Sequence, residues 1–304
     1  MKRKLISQGK GGHTIYLPKK WIDKKSLKPG DEINLDETDN LLIIGAPAKG
    51  KKDITITITE KNKEHIWFLL SVLYRRGFDT ITIKGVDKES IKKIKQITKD
   101  LLLGFELTET VYDQVKLENI SEPTAEKYET LLRRAFLIIK ETQTLMIGDL
   151  EANELKNLEE ITELKNQQDK FILFCRRALS KQKYEKSPLL EWEILSFLVH
   201  IEHEHHYLYK YMFENKVKSD DNILEMVKEL KDYFILLYEA YFKKDKEKIH
   251  KIQSLKSKFQ YGRCQELIEK STGKKAVVHA YIRTIFRRIQ VTTSPVLAEL
   301  FEAT

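Results

Sequence analysis

Over the first 45 positions apolar and polar residues alternate in short runs, each broken by Gly or Pro. Lys4 to Ser7, Thr14 to Leu17, Glu32 to Leu35 and Leu41 to Ile44 read as four strands. Pro18 fixes φ and suits a first helical position, so Pro18 to Lys25 predicts one helical turn or two. Lys28-Pro29-Gly30-Asp31 predicts a tight turn, with Pro and Gly at the two central positions, and Asp39-Asn40 predicts a hairpin loop. Four such strands bury little apolar area, which predicts a partner subunit.

After a linker of small and basic residues at 46–51, the pattern changes to β (Asp53 to Thr59), α (Lys63 to Arg75), β (Thr80 to Lys84), α (Lys88 to Leu103) and two strands (Glu106 to Thr110, Gln114 to Glu118). This order predicts a small α/β layer domain over 52–118, with Gly77 and Gly104 placed as helix C-caps. It shows no catalytic spacing; spacer, dimerisation unit and small-ligand sensor all remain open readings.

From residue 122 to 304 the periodicity is helical. Six helices are predicted, at 124–150, 154–182, 188–215, 221–243, 245–271 and 275–302, with apolar residues at i, i+3 and i+4. Ser187-Pro188 marks the third start, Gly273 separates the last two, and Pro295 is expected to interrupt the final helix. The lengths repeat as three plus three, predicting tandem three-helix bundles.

Charge sharpens this division. Residues 1–28 carry nine Lys or Arg against the single acid Asp23, a surplus equal to the net +8 of the whole 304-residue chain, so the remainder balances. Concentrated positive charge suits a polyphosphate partner, and the plainer alternative is a solvated basic surface. No apolar run approaches the roughly 18 residues a membrane helix needs, and the basic N-terminus lacks the apolar segment of a signal peptide, so a cytoplasmic protein is expected. Cys175 and Cys264 have no Cys or His partner at metal-binding spacing and read as packed thiols.

Leu17-Pro18-Lys19-Lys20-Trp21 and Leu27-Lys28-Pro29-Gly30-Asp31-Glu32-Ile33 give the first 45 residues a family likeness: this segment resembles the AbrB/SpoVT swapped-hairpin DNA-binding domain. The resemblance implies a small β-barrel made by interleaved hairpins of two chains, hence a homodimer through residues 1–45, with basic residues of its exposed face on DNA. From the basic stripe, Arg3, Lys4, Lys10, His13, Lys19 and Lys20 are the candidate DNA contacts, and Arg3 is the candidate base reader because its fork can meet guanine bidentately.

The six-helix segment resembles PhoU, a regulator of phosphate uptake, and the order of the three segments is similar to archaeal PhoU-type regulators. The resemblance implies regulation of phosphate transport, with a transporter ATPase as a candidate partner. PhoU repeats carry acid-xxx-acid motifs whose carboxylates lie one turn apart on one helix face and hold metal ions. Here the first motif reads Lys165-Asn166-Gln167-Gln168-Asp169, with its leading acid replaced; the second, in His200-Ile201-Glu202-His203-Glu204-His205-His206, keeps Glu202 and has His206 for its second acid. Asp169, Glu202 and His206 are thus the candidate metal ligands, a set suited to zinc, iron or nickel. Two other readings stand beside it: a partly solvated helix face, or a Lys165 ammonium neutralising Asp169 and Glu202 in the cation's place. In the second repeat, Phe286-Arg287-Arg288-Ile289-Gln290 and Lys256-Ser257-Lys258-Phe259-Gln260 have lost the acids, so no metal is expected there.

The expected function is a DNA-binding transcriptional regulator and not an enzyme. A metal-dependent helical-bundle enzyme would need Glu-x-x-His on each of two facing helices plus further glutamates, whereas the candidate pair here, Glu202 and His206, is spaced Glu-x-x-x-His. A metal-binding bundle without catalysis, or an antitoxin-like interaction protein without a phosphate role, is the alternative.

Overall fold

The computed structural model describes residues 3–9, 11–38, 41–46, 51–181 and 187–302. Two units are distinguished, Met1–Lys51 and Lys52–Thr304.

In the first unit, β1 (Ile6–Gln8) and β2 (Gly12–Thr14) form an antiparallel hairpin, and β3 (Asn34–Thr38) and β4 (Leu41–Gly45) form a second. The helix α1 (Lys19–Lys24) lies between them in the chain. The first two strands are shorter than the apolar runs predicted: the ladder across the loop that joins them runs from Ile6↔Thr14 to Gln8↔Gly12, leaving Lys4 and Leu5 on one side and Ile15 to Leu17 on the other outside it. Gly12 is required at the mouth of this loop: a Cβ there would come within 2.7 Å of the Gln8 carbonyl oxygen. Pro18 is the residue before the helix rather than its first member, with extended backbone (ψ 125°) and a carbonyl that accepts from the amides of Trp21 and Ile22. The turn at Lys28 to Asp31 forms as predicted: the Asp31 amide donates to the Lys28 carbonyl at 3.0 Å, and Gly30 takes φ +94°, which a side chain resists. Asp39-Asn40 and most of the linker lie outside the described residues. The two hairpins are separate two-stranded sheets, and among the described residues no barrel closes.

The second unit opens with a four-stranded sheet of order β5 (Asp53–Thr57), β6 (Thr80–Lys84), β8 (Gln114–Asn119), β7 (Phe105–Val111); β5 and β6 are parallel and the other pairs antiparallel. The crossover from β5 to β6 runs through a 3-10 turn and α2 (Ile66–Arg75), and α3 (Lys88–Leu101) follows β6. Ile66, Leu70 and Tyr74 of α2 and Ile94 of α3 cover Ile81, Ile83, Val115 and Leu117 of the sheet, and Leu173 from the helical body joins this core.

The helical body comprises α4 (Ala125–Ala152), α5 (Leu158–Lys181), α6 (Pro188–Glu214), α7 (Asp221–Lys243), α8 (Lys246–Lys256), α9 (Cys264–Lys270) and α10 (Lys274–Glu302). A π-helical stretch, Ser257–Arg263, joins α8 to α9, so the predicted fifth helix is a continuous rod of mixed winding. One hydrophobic core runs through both triads of helices; α6 packs on α10 and α4 on α7. Each fully buried Leu, Ile or Phe in it contributes about 1.5–3 kcal/mol. Pro295 does not interrupt α10. Pro295 has no N–H to give the Val291 carbonyl; one turn earlier the hydroxyl of Thr292 donates to the Arg288 carbonyl and that of Thr293 to the Gln290 carbonyl. Cys175 and Cys264 are both free and buried, as the spacing predicted.

Candidate nucleic-acid interface and buried polar cluster

The basic residues of the first unit are carried by the first hairpin and by α1. Arg3 and Lys4 lead into β1, His13 stands on β2 opposite Ser7, and Lys19 and Lys20 open α1; all five are exposed. Lys10 lies outside the described residues. The first turn of α1 holds no acid, so Lys19 and Lys20 add their charge to the positive end of the helix dipole. The apolar side of this unit is unfinished. Among its described residues none is buried, and Leu5 (67% exposed), Tyr16 (69%), Leu35 and Leu42 all face solvent.

The second constellation lies between α5 and α6. The ammonium of Lys165 is 2.8 Å from Asp169 Oδ2, and His203 Nε2 donates to Asp169 Oδ1, also at 2.8 Å. Burial favours the neutral acid at Asp169, but the His203 hydrogen bond and the charges of His203 and Lys165 outweigh it and hold the carboxyl below its usual range.

Glu202, fully buried on α6, accepts from the Thr142 hydroxyl at 2.6 Å through Oε1, while its Oε2 has no partner. Burial pushes this carboxyl up to about 8, against the Thr142 hydrogen bond, with the Asp169 charge adding to the rise. His205, also fully buried, donates from Nδ1 to the Ile201 carbonyl and accepts at Nε2 from the Gln143 amide; burial lowers it to about 4, so the ring is neutral.

His206 lies against Thr162. The Thr162 hydroxyl spends its proton on the Leu158 carbonyl at 2.7 Å, so His206 Nε2 must donate to Thr162 Oγ1 across 3.1 Å, and Nδ1 is a buried lone pair without a partner. Burial, then the Lys165 and Lys210 charges, lower its pKa.

Asp169, Glu202 and His206, expected as metal ligands, therefore each keep separate company. Among the described residues no three His, Cys, Asp or Glu side chains form a group that could hold a metal ion. Asp169 fits such a role poorly, because an ammonium and an imidazole already occupy its two oxygens. Elsewhere in the helical body Phe259 of the π-helical stretch and Phe286 of α10 stack at 4.7 Å, and Tyr233 of α7 meets both edge-on.

Sequence reasoning points to His206 where His203 is the residue that meets Asp169, and it misses Gln143, Thr142 and Gln168. Gln168 is fully buried and donates to the carbonyls of Ala135 and Leu198. A buried amide inside an apolar helical stripe is the signal that could have found it. No described helix is long and apolar enough to cross a membrane. No protein-family model, no curated protein and no solved structure matches the chain.

Proposed function

We propose that the chain is a DNA-binding transcriptional regulator of the PhoU type, acting as a homodimer through an AbrB/SpoVT-like N-terminal unit. The observation that carries this reading is one of placement. The entire net charge of the chain falls in residues 1–28, and the described members of the candidate set, Arg3, Lys4, His13, Lys19 and Lys20, all stand in solvent. A DNA backbone rewards such a surface by counterion release.

The exposed Leu5, Tyr16, Leu35 and Leu42 support the dimer, since a second copy supplies the apolar cover that a 45-residue unit lacks. Interleaving of hairpins, which would close a barrel between chains, follows from the family resemblance. The helical body serves as the sensing or docking part, and control of phosphate uptake, with a transporter ATPase as its docking partner, also rests on that resemblance.

Selection of bound fragments from genomic DNA, followed by footprinting, tests the reading. Protection of defined sites that is lost when Arg3 is replaced by Ala supports it; uniform or absent protection argues against it.

A further inference from the structure

A cavity of about 610 Å³ opens where α2 of the α/β layer meets α5 and α6. Its chemistry is uneven. Trp67 and Phe68 of α2 and Tyr207 of α6 line it with 54%, 51% and 45% of their surface exposed, although large aromatic side chains are normally withdrawn from water. Arg75, Lys165 and Arg176 bring three permanent cations to the same walls, and Asp169 is the one carboxylate among the lining residues.

That carboxylate is not available to the guanidinium groups, because its oxygens are engaged by Lys165 and His203. Arg176 leans on the Trp192 ring (5.4 Å) and donates from Nη2 to the Ser196 hydroxyl at 2.9 Å, but its buried Nε has no hydrogen-bond partner. Burial, and then the neighbouring charge of Arg75, lower the Arg176 pKa to about 10, against the opposing charge of Asp169, which makes no hydrogen bond to it. Two guanidinium groups thus repel one another beside a cavity whose single lining carboxylate is already engaged.

We propose that this cavity binds a nucleotide, with the base against the exposed aromatic rings of Trp67, Phe68 and Tyr207 and the phosphate between Arg75 and Arg176. A flat heteroaromatic ring suits the three rings because stacking needs only a π face. A phosphate dianion balances the two cations in excess and gives Arg176 a charge-assisted acceptor. The volume lies in the range of small-molecule sites. The site lies on the seam between the α/β layer and the helical body, so occupancy bridges the two and supplies the sensed signal. It does not depend on DNA binding by the first unit.

Calorimetric titration of the full chain with the common ribonucleoside 5′-monophosphates and the cyclic mononucleotides tests the proposal, with free nucleosides and inorganic phosphate as comparison probes. At least one nucleotide is expected to bind in the micromolar range, at least about tenfold tighter than either its nucleoside or phosphate alone. Arg75→Gln, Arg176→Met and Trp67→Ala should each weaken it by about tenfold or more. Arg75 and Trp67 are not core residues, so those variants keep the test valid if Arg176→Met fails to fold. Substituting Arg3 and Lys19 by Ala should leave nucleotide binding unchanged, which separates this site from the proposed DNA surface. Absence of submillimolar binding, binding of phosphate as tight as that of the nucleotide, or binding indifferent to both Arg75→Gln and Trp67→Ala overturns the proposal.

Discussion

Arg177 of α5 is inserted beneath the α/β layer and meets Asp79 in an ion pair of 2.8 Å, with the guanidinium 1% exposed. Its Nη1 donates to the carbonyls of Phe78 and Tyr74, and its plane lies over the rings of Tyr74 and Phe105. Asp79 is held in turn by Lys181 and by the amide of Lys52. The α/β layer and the helical body therefore share a buried charge network across one seam. Arg177→Ala leaves Asp79 to Lys181 and the Lys52 amide, so the loss is that of the charge-assisted hydrogen bonds of Arg177. Unfolding stability is expected to fall by about 1.5–3 kcal/mol, measured by urea denaturation. A loss below about 1 kcal/mol would show that the seam is not held by this pair.

Glu202 gives the body a pH dependence of definite sign. Its carboxyl titrates near 8 in the folded chain, against an ordinary value near 4.5. Between those values the native state binds more protons than the unfolded one, so stability falls as pH rises. His205 acts oppositely over a lower window: with its value near 4 when folded against 6.5 when free, stability falls as pH drops through that range. Above pH 6.5 only the Glu202 effect remains. Glu202→Gln should gain on wild type by up to about 5 kcal/mol between pH 4.5 and 8, read as a widening difference in melting temperature. Parallel pH profiles for the two proteins would contradict the burial argument.

Lys165 lies one turn before Asp169 on α5, and its ammonium sits on that carboxylate at 2.8 Å. Purified wild-type chain is therefore expected to carry less than one zinc, iron or nickel per chain. Lys165→Glu, which places two carboxylates at i and i+4 on α5, should raise that content. Elemental analysis checks both statements. Stoichiometric metal in wild type that disappears in Asp169→Ala and Glu202→Ala would restore the ligand set Asp169, Glu202 and His206.

The helices were legible because their ends carry local chemistry. The seventh, predicted at 221–243, keeps those bounds: Asp220 accepts from the Ile223 amide at 3.0 Å, and Lys244 leaves the helix in a left-handed conformation. The burial of Glu202 and His205 was readable as well, since both fall on the apolar stripe of α6. What periodicity does not carry is the rotation of one helix against another. His203 and His206 are equally plausible partners for Asp169 until α5 and α6 are set side by side, and the packing brings His203 there. The Arg177–Asp79 pair joins residues 98 positions apart, and the aromatic and cationic cavity draws on α2, α3, α5 and α6, so neither leaves a local signature.

The first unit should not be monomeric. Tyr16→Asp or Leu35→Asp removes one apolar side chain from each of the two chains, about 1.5–3 kcal/mol apiece, and is expected to weaken self-association by about a hundredfold or more. Sedimentation velocity over a concentration series checks it. A wild-type chain that stays monomeric at high micromolar concentration would contradict the dimer.

The central claim is that residues 1–28 are a DNA-binding surface, and salt titration of DNA affinity with the full chain tests it most directly. With about six phosphates neutralised, affinity should fall on the order of 10³-fold between 50 and 200 mM salt. Lys19→Ala with Lys20→Ala should make the slope of log affinity against log salt shallower by about 0.9 for each phosphate no longer neutralised. A shallow slope in wild type, or a steep one unchanged by these substitutions, would place the interaction elsewhere and contradict the account.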